Sequence, residues 1–357
     1  MLLGLGVAAV LVTAARTRPA LSLPSHPQDP ASDREALPAA PESAESKQRG
    51  VALGLFAEDV SFSYEPLIRE IAAVGATHIS LIVPLYQTHG GSTTLSLHTR
   101  LSPSLEAVAD AIRLARRAGL EVTLFPIVRL SQPRHPLEWR GTLAPNNRDA
   151  WFASYGALLA DLASLAALTG ASRLVVGSEL STLDGDLGRW RPLLERVRAL
   201  FPGTLMYSAN WDHYQDARLF ELVDELGVVA YFKLRESHEP SDVDSLTRGW
   251  QRLRRDIERN LDGYGKPWVL SELGYRSRVG ATAAPWDEGS GGDPDPAEQL
   301  RAFQAFRKVW TTGEKSSSHM AGLYVWNWYG FGGPQTTSYT PRGKPAVDVI
   351  RQILEEL

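Results

Sequence analysis

The chain has 357 residues, 43% of them hydrophobic and 22% charged, which is ample material for a core and rules out disorder throughout. A formal net charge of −4 and a pI near 6.1 leave no basic surface that would gather phosphate backbones, so nucleic acid is not an expected partner. With no cysteine, a disulfide framework, a thiolate zinc site and a cysteine nucleophile are all excluded.

The first stretch, Leu2 to Ala15, is apolar and ends in small residues. It fits a secretory h-region and is shorter than the roughly 20 residues that span a bilayer. No Lys or Arg precedes it, whereas Arg16 and Arg18 follow it, so an uncleaved membrane tether is the alternative. Either way the protein is expected to be secreted, periplasmic or held at the cell surface. Residues 16–49, rich in Pro, Ala, Ser and Glu without apolar periodicity, read as a flexible linker, which leaves 50–357 as one domain.

From Gly50 onward, short β-branched or aromatic runs alternate with amphipathic ones. Strands are expected to begin at Val51, His78, Leu120, Arg173, Thr204, Gly227, Pro267 and Gly322, each followed by a helical pattern. After the second strand, Ser102-Pro103 reads as a cap followed by a proline at the first helical position, and Gly119 as the stop. After the sixth, Val243, Leu246, Trp250, Leu253, Ile257 and Leu261 recur at steps of three or four, one face of a helix. Eight such units predict a (β/α)8 barrel. A doubly wound open sheet is the alternative, and the first strand lacks the glycine fingerprint such a sheet would use for a phosphate.

In a barrel of this kind the active site lies at the carboxyl ends of the strands. Two apolar runs stop on an acid there: "RLVVGSELS" ends the fourth strand with Glu179, and "PWVLSELGYRS" ends the seventh with Glu272. Three βα units of ordinary length separate them, so both are expected at one mouth. Long insertions follow the third strand (about Leu130 to Asn147), the seventh (Arg276 to Asp295) and the eighth (Tyr329 to Lys344). They carry Trp139, Trp286, and Tyr329, Phe331 and Tyr339 respectively, and aromatic loops of this length point to function.

Two carboxyls facing each other across an aromatic cleft meet the requirement of glycoside hydrolysis. One acid protonates the leaving oxygen, and the other attacks the anomeric carbon or activates water. A separation of about 5–5.5 Å gives retention and about 6.5–9.5 Å inversion, and the sequence leaves both open. Sugar rings stack their C–H faces on flat aromatic ones. Candidate substrate contacts are therefore Trp139 and Trp286 in the loops, with Asn210, Trp211, Tyr231 and Trp326 at strand ends. Each has a plainer reading: a chain turn for Asn210 and Trp211, a core position for Tyr231, a barrel plug for Trp326. No HExxH, calcium loop or G-x-S-x-G elbow is present, so neither a metal nor an organic cofactor is expected.

Six stretches in order, "PLEWRGTLAPNNRDAWFASYGALLADLASLA", "VVGSEL", "LMYSANWDHY", "LGVVAYFKL", "KPWVLSELGYRSRVGATAAPW" and "GLYVWNW", resemble glycoside hydrolase family 113, a member of clan A of the (β/α)8 glycosidases. The likeness runs from about Gly50 to Ile350. It implies a retaining mechanism on β-linked glycans, with endo-β-1,4-mannanase as the activity. Carried onto this chain, the resemblance makes Glu179 the general acid/base and Glu272 the nucleophile. It has Tyr231 hydrogen-bond the nucleophile, Trp326 floor the cleaved sugar, and Asn210 and Trp211 line the cleft. Clan A enzymes commonly place Asn before the acid/base; this chain has Ser178, so recognition of the sugar 2-hydroxyl is expected to differ. The expected partner is a polysaccharide or oligosaccharide, acted on by a monomer. The competing readings are another β-linked polymer (a glucan, a xylan or an exopolysaccharide) and a barrel that binds polysaccharide without cleaving it.

Overall fold

The structure is a computed structural model that describes residues 47–236, 241–289, 291–313 and 317–357. The expected leader and nearly all of the expected linker lie outside the described residues. Gln48 and Arg49, placed in the linker by composition, belong instead to the first strand.

Eight parallel strands close into a barrel in chain order, as expected: β1 (Gln48–Gly54), β2 (His78–Gln87), β3 (Glu121–Leu130), β4 (Arg173–Ser178), β5 (Thr204–Ala209), β6 (Glu225–Val229), β7 (Trp268–Leu273) and β8 (Met320–Val325). The described residues form seven α-helices around it: α1 (Glu65–Ala73), α2 (Leu105–Arg117), α3 (Arg148–Thr169), α4 (Leu187–Leu200), α5 (Val243–Asp262), α6 (Pro296–Trp310) and α7 (Ala346–Glu356). An eighth helix was expected after β5, but only a 3-10 turn, Arg218–Leu222, stands there. The chain spends the start of that crossover on a turn in which the Asn210 carbonyl accepts from the amides of His213 and Tyr214, and the remainder is too short for a full helix.

The helices start and stop for local reasons. Asn147 caps α3 and Asp242 caps α5, each accepting an amide three residues on. The cap of α2 is Ser104, whose Oγ accepts from Ala107 N at 3.1 Å. Ser102, the expected cap, is occupied elsewhere, donating to the Pro84 carbonyl at 2.6 Å. Gly119 follows α2 with φ 80°, the left-handed position that glycine takes without strain. Helix α5 buries Leu246, Trp250, Ile257 and Leu261 against the barrel, the stripe read from the sequence.

Strand alternation sorts the side chains. Phe125, Ile127, Val175, Met206 and Val229 fill the interior, while their neighbours Leu124, Leu174, Leu205 and Val228 pack outward under the helices. At the foot of the barrel the interior is polar. Glu225 accepts from Gln48 Nε2 and meets Arg173 Nε at 3.4 Å; Tyr324 OH donates to Gln48 Oε1 at 2.7 Å and pairs with Thr123 Oγ1 at 2.9 Å. This network ties β1, β3, β4, β6 and β8. Burial raises the Glu225 carboxyl above its ordinary range, with Arg173 opposing.

Removing one partner from a buried ion pair strands the other. Glu225→Ala is therefore expected to cost about 3 kcal/mol, read from the urea midpoint. Glu225→Gln, which still accepts from Gln48, is expected to cost less.

Candidate active site

At the carboxyl ends of the strands the two acids converge, and each arrives through a break in strand regularity. A bulge between Val175 and Gly177 shifts the β4/β5 register so that Ser178, opposite Ser208, points inward; alternation continued from Ser178 would turn Glu179 out toward the helices. Glu179 instead has φ 52°, the one positive φ outside glycine among the described residues. Its amide donates to Ser208 O at 2.7 Å, and its side chain enters the mouth. On β7, Ser271 is the inward residue, with its Oγ 2.6 Å from that of Ser208. Register shifts against both β6 and β8 then carry Glu272 inward as well.

A cleft of about 280 Å³ opens at this mouth. It is lined by Phe56, Ile127, Arg129, Arg140, Tyr231, Glu272, Arg276, Glu288, Trp326, Asn327, Ser338 and Tyr339. Glu272 is 1% exposed; its Oε2 accepts from Tyr231 OH at 2.9 Å, and its Oε1 has no hydrogen-bond partner among the described residues. Tyr231 in turn packs on the Tyr339 ring at 5.6 Å between centroids. Glu179, also buried, is gripped by Arg140 from the β3–α3 insertion: Nε donates to Oε2 at 2.7 Å and Nη2 to the same oxygen. The Trp139 ring lies under that guanidinium at 5.6 Å.

The charges oppose one another. Burial pushes the Glu272 carboxyl up to about 8, and Glu179 adds to the rise; Arg140 and the Tyr231 hydrogen bond resist it. Burial also raises Glu179, against the pull of Arg140, which bonds it directly. Arg140 is half-buried, and the two acids keep it charged. The Tyr231 phenol is held well above its ordinary value by burial and by Glu272, so it is a donor. A charge on Glu179 thus disfavours ionisation of Glu272.

The remaining sequence candidates divide. Tyr231 and Trp326 line the cleft with Glu272. Trp211 and Trp286 stack on each other, 4.7 Å apart and 22° from parallel, joining the loops after β5 and β7 beside the cleft. Asn210 turns the chain and donates from Nδ2 to Asp212 Oδ1 at 2.7 Å. Trp139 supports Arg140 and is not among the lining residues. Ser178, where clan A commonly has Asn, is 2% exposed and its Oγ has no partner among the described residues.

Sequence reasoning missed Arg140, Glu288, Arg129 and Arg276. Arg140 and Glu288 sit in irregular insertions where no period marks them. Arg129 had a signal, since it follows Phe125 and Ile127 at the two-residue step of the inward face of β3. Arg276 fastens two insertions together. Its Nε donates to Thr337 O at 3.0 Å and its Nη1 to Glu288 O at 3.1 Å. Among the described residues no group of three or more His, Asp or Glu is placed to hold a metal ion.

The sequence profile of Glycoside Hydrolase Family 113 matches residues 59–338. Among solved structures, the family 113 β-mannanase AaManA from Alicyclobacillus acidocaldarius superposes with TM-score 0.76 at 24% identity, over 87% of this chain and 98% of that one. A family 113 β-1,4-mannanase gives 0.76 at 21%, over 88% and 100%. The β-D-glucuronidase of Dictyoglomus thermophilum gives 0.60 at 15%, over 87% of this chain and 51% of that one. No curated protein matches the chain significantly. The family profile spans β2 to β8 and takes in both buried glutamates, the Tyr231 donor and the Arg140 clamp, and on that match this glycoside hydrolase belongs to family 113.

Proposed function

We propose that the enzyme is a retaining, endo-acting β-1,4-mannanase, with Glu272 as nucleophile and Glu179 as general acid/base. The observation that carries the assignment is the asymmetry of Glu272: one oxygen is held by Tyr231 and the other is left without a partner, in the cleft. A nucleophile needs that arrangement, a fixed carboxylate with one lone pair to offer. A double displacement is favoured over inversion by the match to family 113.

In the first step the Glu272 carboxylate attacks the anomeric carbon, the glycosidic C–O bond breaks, and the Glu179 proton passes to the departing oxygen. The carboxylate this leaves on Glu179 is the species Arg140 is placed to stabilise. In the second step Glu179 takes a proton from water, which displaces Glu272 and restores the pair. Trp326 serves as the floor under the cleaved sugar, and the stacked Trp211–Trp286 pair as a platform for a neighbouring one. Mannan is favoured by the family and by the β-mannanases whose fold the chain shares. The apolar run Leu2–Ala15 supports export to where such a polymer is met.

Three measurements test this. Reducing-sugar release by the full chain on soluble β-mannan, glucomannan, β-glucan and xylan is expected to be largest on the mannans; release confined to xylan or β-glucan would overturn the substrate assignment. Glu272→Ala is expected to keep the circular dichroism of the parent and lose turnover by about 10⁴-fold or more. Arg140→Gln removes a cation that favours the ionised form of both acids, so both limbs of the kcat/KM pH profile are expected to move to higher pH, by about one pH unit. An unmoved profile would take Arg140 out of the proton economy of the site.

A further inference from the structure

One cation in the cleft has no counterpart. Arg140 is bound to Glu179, and Arg276 is fastened to loop carbonyls, but Arg129 makes no hydrogen bond or ion pair among the described residues. Its position is nonetheless built. Phe125, Ile127 and Arg129 share the inward face of β3, so the strand that fills the barrel with apolar side chains ends by presenting a guanidinium at the mouth. There it stands over the Phe56 ring, 5.8 Å from the centroid, in the cleft that holds Glu272 and Trp326. Phe56 is braced from behind by Tyr329, edge to face at 5.7 Å. The ring limits the directions the guanidinium can take, and Arg129 lines the open cleft.

Neutral sugars ask for little of this. Their hydroxyls are served by neutral donors and acceptors, whereas a fixed guanidinium fork matches two oxygens of one acidic group. We infer that the cleft accepts a glycan carrying a carboxylate on a sugar beside the cleaved one, and that Arg129 reads that charge. The inference rests on the glycosidase reading of the cleft and narrows it from a neutral β-mannan to a polymer with acidic residues along or beside its backbone.

The test separates binding from turnover. The probes are β-1,4-linked manno- and gluco-oligosaccharides, each neutral and oxidised at carbon 6 to the carboxylate, titrated calorimetrically into the full-length Glu272→Gln protein. The oxidised forms are expected to bind about tenfold tighter than their neutral counterparts, as one charge-assisted contact would give, with the advantage shrinking as salt is raised. Adding Arg129→Gln is expected to bring the oxidised-to-neutral ratio close to one, and Arg129→Lys, which keeps the charge without the fork, to restore only part of it. Equal binding of neutral and oxidised probes, or an advantage that survives Arg129→Gln, overturns the inference and reduces Arg129 to a hydroxyl contact. Product release by the parent enzyme on the same oligosaccharides reports separately on the glycosidase reading. Preferential binding of the oxidised probes without any release would retire that reading and leave the role of Arg129 standing.

Discussion

A regular parallel strand cannot place neighbouring side chains on the same side, and this limit shapes the whole mouth of the barrel. In both β4 and β7 a serine holds the inward position and a glutamate follows it. For the acids to meet, each strand must stop being regular at that residue. One does so by a left-handed backbone at Glu179, the other by slipped register around Glu272. The small serines below make room for this, since Ser178, Ser208 and Ser271 form a layer of short side chains beneath the carboxyls. A positive φ at a glutamate costs on the order of 1 kcal/mol or more, and it persists because the closed barrel and the Ser208 hydrogen bond over-determine it.

Once both acids are buried at one mouth, electrostatics follows from geometry. Two buried carboxyls cannot both ionise freely, and a single guanidinium bonded to one of them biases where the proton goes. Burial raises both carboxyls, and they differ in their partners. Glu272, the proposed nucleophile, is the acid without a bonded cation and is pushed up to about 8. Glu179, the proposed acid/base, is the one bonded to Arg140.

The barrel itself was legible because its causes are periodic: eight apolar runs, their spacing and the helical stripe of α5 all follow from burial. The positions of Glu179, Glu272, Tyr231 and Trp326 were legible because they sit at strand ends, where the fold says to look. What the sequence hid was set by irregular backbone. The clamp from Arg140 and the nearby Glu288 come from insertions with no repeating pattern, and the 3-10 turn between β5 and β6 replaced a helix because the chain there was used up in turning. Asn210 and Trp139 show the converse. Both have the chemistry to touch a sugar, yet one is bonded to Asp212 and the other supports Arg140.

The hold that Arg276 keeps on the β7 and β8 insertions has a thermodynamic side. By bonding Thr337 O and Glu288 O at once it fixes two long loops to each other before any ligand arrives. Ordering such loops on binding would cost conformational entropy, roughly 1–2 kcal/mol for each residue's backbone that is immobilised. A cleft already ordered spares that cost, so contacts with the polymer translate into affinity and rate with little lost to folding the walls. The same rigidity narrows what fits, because a wall that does not yield excludes chains whose branches meet it.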